Sequence, residues 1–269
     1  MQSPVVKLAG FRLRLVGALL FLGLGFGGVQ ALTVTEQIES AGRLNPQRSA
    51  ARIWYVGVAL HYNSTAFWGD VLGIESALRR LDPDLASVKL GNGKLEKEWP
   101  RATFANFKNA VEEVSKAAKP DDLFVLAVSS HGSPYYLEAG TSASELWGLR
   151  EKEFREILKP FDERRTLVLV ASCYSGSWAE ALRAPKRVIV ASSQRNQKSD
   201  GCTPDAKATT FIRAWVSQFR PELSLRRLMY LTETRMDNLN QQRPVIWVSD
   251  DMRTFAREPM NAWQLHMPR

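Results

Sequence analysis

Apolar residues arrive along this chain in short dense runs, separated by longer stretches with helical spacing. Residues 52–60 (RIWYVGVAL), 123–130 (LFVLAVSS), 166–173 (TLVLVASC), 187–192 (RVIVAS) and 244–249 (PVIWVS) are β-type runs, and a weaker one lies at 85–90. The runs at 123 and 166 are apolar at consecutive positions, the pattern of strands covered on both faces in the middle of a parallel sheet. Phe104, Phe107, Val111, Val114 and Ala118 recur three and four apart, which places one apolar stripe on a helix over 102–118. Further helices are predicted over 66–81, 151–162, 177–184, 207–219 and 224–240, with a short helical lead-in over 32–50. Asp82-Pro83-Asp84 and Pro120-Asp121-Asp122 are breaks. Residues 133–150 and 193–206 read as loops, and the tail 251–269 has no clear pattern. Strands alternating with helices, and too apolar to be half exposed, predict one three-layer α/β domain over 51–250 with about six strands.

Composition adds an export expectation. Residues 15–29 are an apolar Leu- and Gly-rich run that follows Lys7, Arg12 and Arg14 and closes at Val29-Gln30-Ala31. That order of basic, apolar and small-residue segments predicts a signal peptide over 1–31, and hence a periplasmic or secreted protein. Membrane contact is expected only if this segment stays uncleaved as an inner-membrane anchor. The formal net charge is +8, and removing the three N-terminal basic residues leaves +5. This modest excess favours acidic partners or a membrane surface over nucleic acid.

Two of the doubly buried runs end in reactive groups, Ser129-Ser130-His131-Gly132 and Ala171-Ser172-Cys173. In open parallel sheets, sites gather at the C-terminal strand ends. If these strands are neighbours, an imidazole stands beside a thiol and can take its proton. Ser177-Trp178-Ala179-Glu180 fits a capping box and places a helix start just after the cysteine. The N–H groups of Gly132 and Cys173 are candidates for an oxyanion hole. Asn63, in the loop after the first strand, either orients the imidazole or is an ordinary loop residue. The two cysteines and three histidines carry no zinc-site spacing.

The stretches DDLFVLAVSSHGS and RTLVLVASCYSGS resemble the two catalytic strands of caspase-like cysteine peptidases, most nearly the bacterial branch of the legumain-type C13 family. RIWYVGVAL resembles that family's first strand, VIVASSQRNQKSDGCT the strand and loop after the nucleophile, TTFIRAWV the next helix, and RPVIWVSD the last strand. The resemblance implies a caspase-like α/β/α sandwich around a mainly parallel sheet. It implies a cysteine endopeptidase acting on protein or peptide substrates and needing no metal or organic cofactor, with Cys173 as nucleophile, His131 as general acid and base, and Gly132 with Cys173 as the oxyanion hole. Ser192 and Ser193 follow the strand that borders the family's substrate pocket and are candidate lining residues. The chain departs from the asparagine-cutting legumains: residues 64–68 hold no arginine, Ala171 stands two before the cysteine, and Ala214 occupies the helix position of an acid. An uncharged pocket is expected instead.

Three other readings remain open at this level. A Cys173–Cys202 disulfide would suit an exported protein. A caspase-like fold can also serve as a catalytically inactive binding module. The third is a nucleophile elbow at Cys173 with Asp250 or Asp251 and then His266 downstream, the chain order of α/β-hydrolases.

Overall fold

The computed structural model describes residues 32–43, 51–93, 98–237 and 243–263. The signal segment expected over 1–31 lies outside these residues, as do 44–50 of the lead-in and His266. In chain order the elements are α1 (Val34–Arg43), β1 (Ile53–Ala59), α2 (Ala66–Leu78), β2 (Ala86–Gly91), α3 (Phe104–Ala117), β3 (Leu123–Ser129), β4 (Gly132–Ser133), β5 (Tyr136–Ser142), β6 (Glu145–Arg150), α4 (Glu151–Leu158), β7 (Thr166–Ala171), α5 (Gly176–Ala181), β8 (Arg187–Ala191), α6 (Thr210–Gln218), α7 (Leu225–Asp237), β9 (Val245–Val248) and α8 (Arg253–Arg257).

Six strands form the main sheet in the order β2-β1-β3-β7-β8-β9, all parallel except β9, which runs antiparallel to β8. Every residue of β1, β3, β7 and β8 is buried. Because side chains alternate across a strand, each of these strands feeds two cores. Trp54, Val56 and Val58 of β1, Phe124, Leu126 and Val128 of β3, and Val168 and Val170 of β7 face one layer, which also contains residues of α1, α3, α4 and α5. Ile53 and Tyr55, Leu123 and Val125, and Leu167 and Leu169 face the other, with α2, α6 and α7. Consecutive apolar positions are thus required by the two covering layers, as expected for a three-layer α/β/α sandwich.

Three segments differ from the sequence reading. Residues 133–150 are not a loop: β5 and β6 form an antiparallel hairpin that also pairs β4, with a bulge between Gly140 and Ser142. Leu137 and Ala139 are buried there while Glu138 between them is exposed, so the alternation is present but short and diluted by small residues. The tail is also built in, because Met252, Phe255, Met260 and Trp263 belong to the second core. The predicted capping box is absent. Helix α5 starts at Gly176, and Ser177 lies inside it, donating its hydroxyl to Tyr174 O and accepting from Tyr135 N.

Candidate active site

Register brings the two reactive strand ends level. β3 and β7 are adjacent and parallel, with Ser129 opposite Ala171. The ladder continues one step further, with Ser130 N–H donating to Ala171 O at 3.1 Å. His131 and Cys173 each stand two residues beyond the matched pair, so neighbouring strands about 4.8 Å apart deliver them to the same edge. The Gly132 backbone lies against this turn: a Cβ on Gly132 would sit 3.2 Å from Cys173 O and 2.9 Å from Tyr136 O. Only a glycine fits between the hairpin and the Cys173 turn without displacing backbone.

The imidazole of His131 is half-buried and held on three sides. Its Nε2 lies 2.9 Å from Asn63 Oδ1. Phe67, from the first turn of α2, meets the ring edge-on at a centroid separation of 5.0 Å. His61 meets it at 5.0 Å and 73°. Burial is the main cause that pulls His131 below the usual imidazole range; the neighbouring His61 adds to this and the Glu138 carboxylate opposes it. At neutral pH the ring is therefore uncharged, the state that can accept a proton.

The turn carrying Cys173 is held by backbone and serine hydroxyls. Tyr174, directly after the cysteine, has φ of 57°, a left-handed conformation unfavourable for a side chain with Cβ. Its N–H donates to Gln197 O at 2.8 Å, and its carbonyl accepts from Ser177 N at 3.1 Å and from the Ser177 hydroxyl. The sulfur of Cys173 is bracketed by one residue: Ser199 N–H points at it from 3.3 Å, and its own S–H reaches Ser199 O at 3.5 Å. Cys173 and Cys202 are both free thiols. Burial raises the pKa of the Cys202 thiol, and the nearby Cys173 raises it further.

Ser192 and Ser193 do not line an open pocket. Both are wholly buried. Ser192 Oγ accepts from Ser172 N–H at 3.1 Å, donates to Ser172 O at 3.0 Å, and contacts the hydroxyls of Ser175 and Ser199. Ser193 Oγ donates to Ser172 O and accepts from Ser175 N–H. Their hydroxyls are consumed in fixing the turn that carries Cys173, a support role rather than an open pocket wall.

The hydrolase-elbow arrangement does not form with its proposed acids. Because β9 is antiparallel, Val248 pairs with Val188 near the start of β8, and Asp250 and Asp251 follow at the sheet edge opposite Cys173. Three residues the sequence reading passed over do join the site: His61, Ser199 and Asp70. His61 follows the end of β1, a third central strand, so the strand-end rule reaches it as well. Asp70 is wholly buried on α2, where its carboxylate accepts from the Ser129 hydroxyl at 2.6 Å and from Thr209 N–H at 2.8 Å. Burial raises its pKa to about 7, against the lowering effect of Ser129, Thr209 and Arg213.

A mainly parallel α/β/α sandwich with a thiol and an imidazole at adjacent strand ends is the architecture of a caspase-like cysteine peptidase. The chain belongs to the peptidase C13 family, whose model matches residues 104–242 and so spans both strand ends. Among solved structures, protein GSU0716 from Geobacter sulfurreducens is similar in fold, with a TM-score of 0.53 and 15% identity over 78% of this chain and 98% of that one. Caspase-1 from Spodoptera frugiperda aligns at a TM-score of 0.48 and 15% identity, over 74% of this chain and 86% of that one. No curated protein sequence matches the chain.

Proposed function

We propose that this protein is an exported endopeptidase that cuts peptide bonds through a Cys173–His131 dyad. The observation that carries the reading is the matched register of β3 and β7, which sets both side chains at one sheet edge with His131 tethered to Asn63. With Nε2 bonded to Asn63, Nδ1 is the nitrogen left to move protons. His131 takes the thiol proton as Cys173 Sγ attacks the carbonyl carbon. The resulting oxyanion accepts hydrogen bonds from the N–H groups of Gly132 and Cys173. The imidazolium then gives its proton to the leaving amine, and a thioester remains. Water, deprotonated by His131, hydrolyses it and restores the thiol. An acceptor amine in place of that water gives transpeptidation by the same steps.

Ala171 and Ala214 stand where the legumains carry charged groups, so no charge is there to hold a carboxamide, which supports a small or apolar residue beside the cut rather than asparagine. The test is cleavage of a diverse peptide library by mature protein under reducing conditions, with Cys173→Ala and His131→Ala beside it. Both variants are expected to lose activity by roughly a thousandfold or more, and the cut sites define the pocket. Cleavage that survives Cys173→Ala overturns the assignment, and no cleavage by the parent protein favours an inactive binding module. Export is tested by expressing the full chain in bacteria and sequencing the N-terminus of the periplasmic form. A start at residue 32 is the expected result.

A further inference from the structure

We propose that His61 is a positioning residue for the reaction: it fixes the Asn63 side chain and, through it, the tautomer of His131. The inference rests on the reading of His131 as the proton-transfer group.

His61 is buried, and its Nδ1 lies 2.8 Å from Asn63 Oδ1, the same oxygen that His131 Nε2 meets at 2.9 Å. The backbone N–H of Asn63 also points at that nitrogen, from 3.3 Å, and would be accepted by an unprotonated Nδ1; it is the longer and weaker of the two contacts, so the amide oxygen at 2.8 Å sets the proton. An amide oxygen carries two lone pairs and no hydrogen. One oxygen contacting two imidazole nitrogens therefore requires an N–H from each ring. His61 is then protonated at Nδ1 and His131 at Nε2, which leaves His131 Nδ1 with the free lone pair that the mechanism uses. The opposite amide orientation would aim N–H groups at both rings and clash with an imidazolium, so it cannot serve a group that cycles through its charged form.

Asn63 is an exposed loop residue, and a single hydrogen bond to His131 leaves its amide free to turn over. The second bond, from a buried ring, removes that freedom. His61 is itself anchored. It forms a bridge with Gly140 of the hairpin, stacks on Tyr62 at 4.9 Å, and packs edge-on to Phe67 at 6.5 Å. The charged or titratable groups that act on His131 are His61 from the end of β1 and Glu138 from β5, with Cys173 at the end of the adjacent strand β7. Of these, only His61 touches the tether.

Two substitutions separate the donor from the ring. His61→Phe keeps an aromatic ring and removes the N–H. His61→Asn places an amide N–H near the Nδ1 position without a titrating ring. The chain has three histidines, so ¹⁵N imidazole spectra resolve the His131 tautomer directly. These are recorded in the Cys173→Ala background, which needs no turnover. The expected parent state is a single Nε2–H tautomer, with a tautomer mixture in His61→Phe and a single tautomer restored in His61→Asn. In the active protein, His61→Phe is expected to lower kcat about 10- to 100-fold with KM changed less than about threefold, and His61→Asn to recover most of it. A single Nε2–H tautomer and unchanged kcat in a folded His61→Phe protein overturn the proposal, as does a parent tautomer protonated at Nδ1. Because the spectra do not depend on cleavage, they decide the role of His61 even if peptide hydrolysis is not found.

Discussion

Asp70→Asn isolates the cost of a buried carboxylate that ties the end of β3 to the start of α6. Asp70 joins Ser129, two residues before His131, to Thr209, the N-cap of α6. Its carboxyl rises from 3.8 to about 7 in the fold, chiefly through burial. The native state therefore binds this proton more tightly than the unfolded chain does, and stability falls as pH rises from about 4 to 7, then levels. At 1.36 kcal/mol per pK unit, the whole window is worth about 4 kcal/mol, and the part between pH 5 and 7 about 3 kcal/mol. Asparagine keeps both contacts without the charge: its oxygen accepts from Thr209 N–H, and its amide donates to Ser129 Oγ, which turns from donor to acceptor. The assay is urea unfolding of Asp70→Asn and its parent, both carrying Cys173→Ala to prevent self-cleavage, at pH 5, 6, 7 and 8. Subtracting the two curves cancels every other titrating group. The variant is expected to gain about 3 kcal/mol on the parent between pH 5 and 8. A difference that is flat, or that moves the other way, refutes the reasoning and means that Ser129, Thr209 and Arg213 fully compensate the ionised carboxylate.

Three further outcomes follow from the site. Ser192→Ala removes a buried hydroxyl that serves Ser172, Ser175 and Ser199; it is expected to cost about 1–3 kcal/mol in urea unfolding and to lower kcat. Gly132→Ala pushes a methyl group against Cys173 O and Tyr136 O, so cleavage should fall about 100-fold while far-UV circular dichroism stays unchanged. Alkylation of Cys202 should show a pH midpoint above the ordinary thiol range, moving down in Cys173→Ser, since burial and then Cys173 hold it up. A midpoint in the usual range would show that the thiol is better solvated than its packing indicates.

The strands, their order of burial and the two reactive ends were legible in the sequence because the physics is local. A strand covered on both faces must be apolar at every position, and the punctuation at Pro120-Asp121-Asp122 and Ser172-Cys173 lies next to the elements it ends. The legumain-type resemblance rested on those same stretches. Less legible were segments whose partners are distant. The β5–β6 hairpin alternates over few residues, and the apolar positions at 252, 255, 260 and 263 show no recognisable period until the second core is there to receive them.

The sequence by itself determined which groups are available: one thiol and one imidazole at the ends of two doubly buried strands. Tertiary structure alone decided what surrounds them. Ser192 and Ser193 became supports because β8 lies beside β7 and turns their hydroxyls inward. His61 and His131 came to share one oxygen because β1 and β3 are adjacent while 70 residues separate them along the chain. Asp250 and Asp251 were removed from the site by the antiparallel direction of a single strand. Contacts between distant segments depend on strand order and direction, which are set by how layers pack and not by the residues that end up touching.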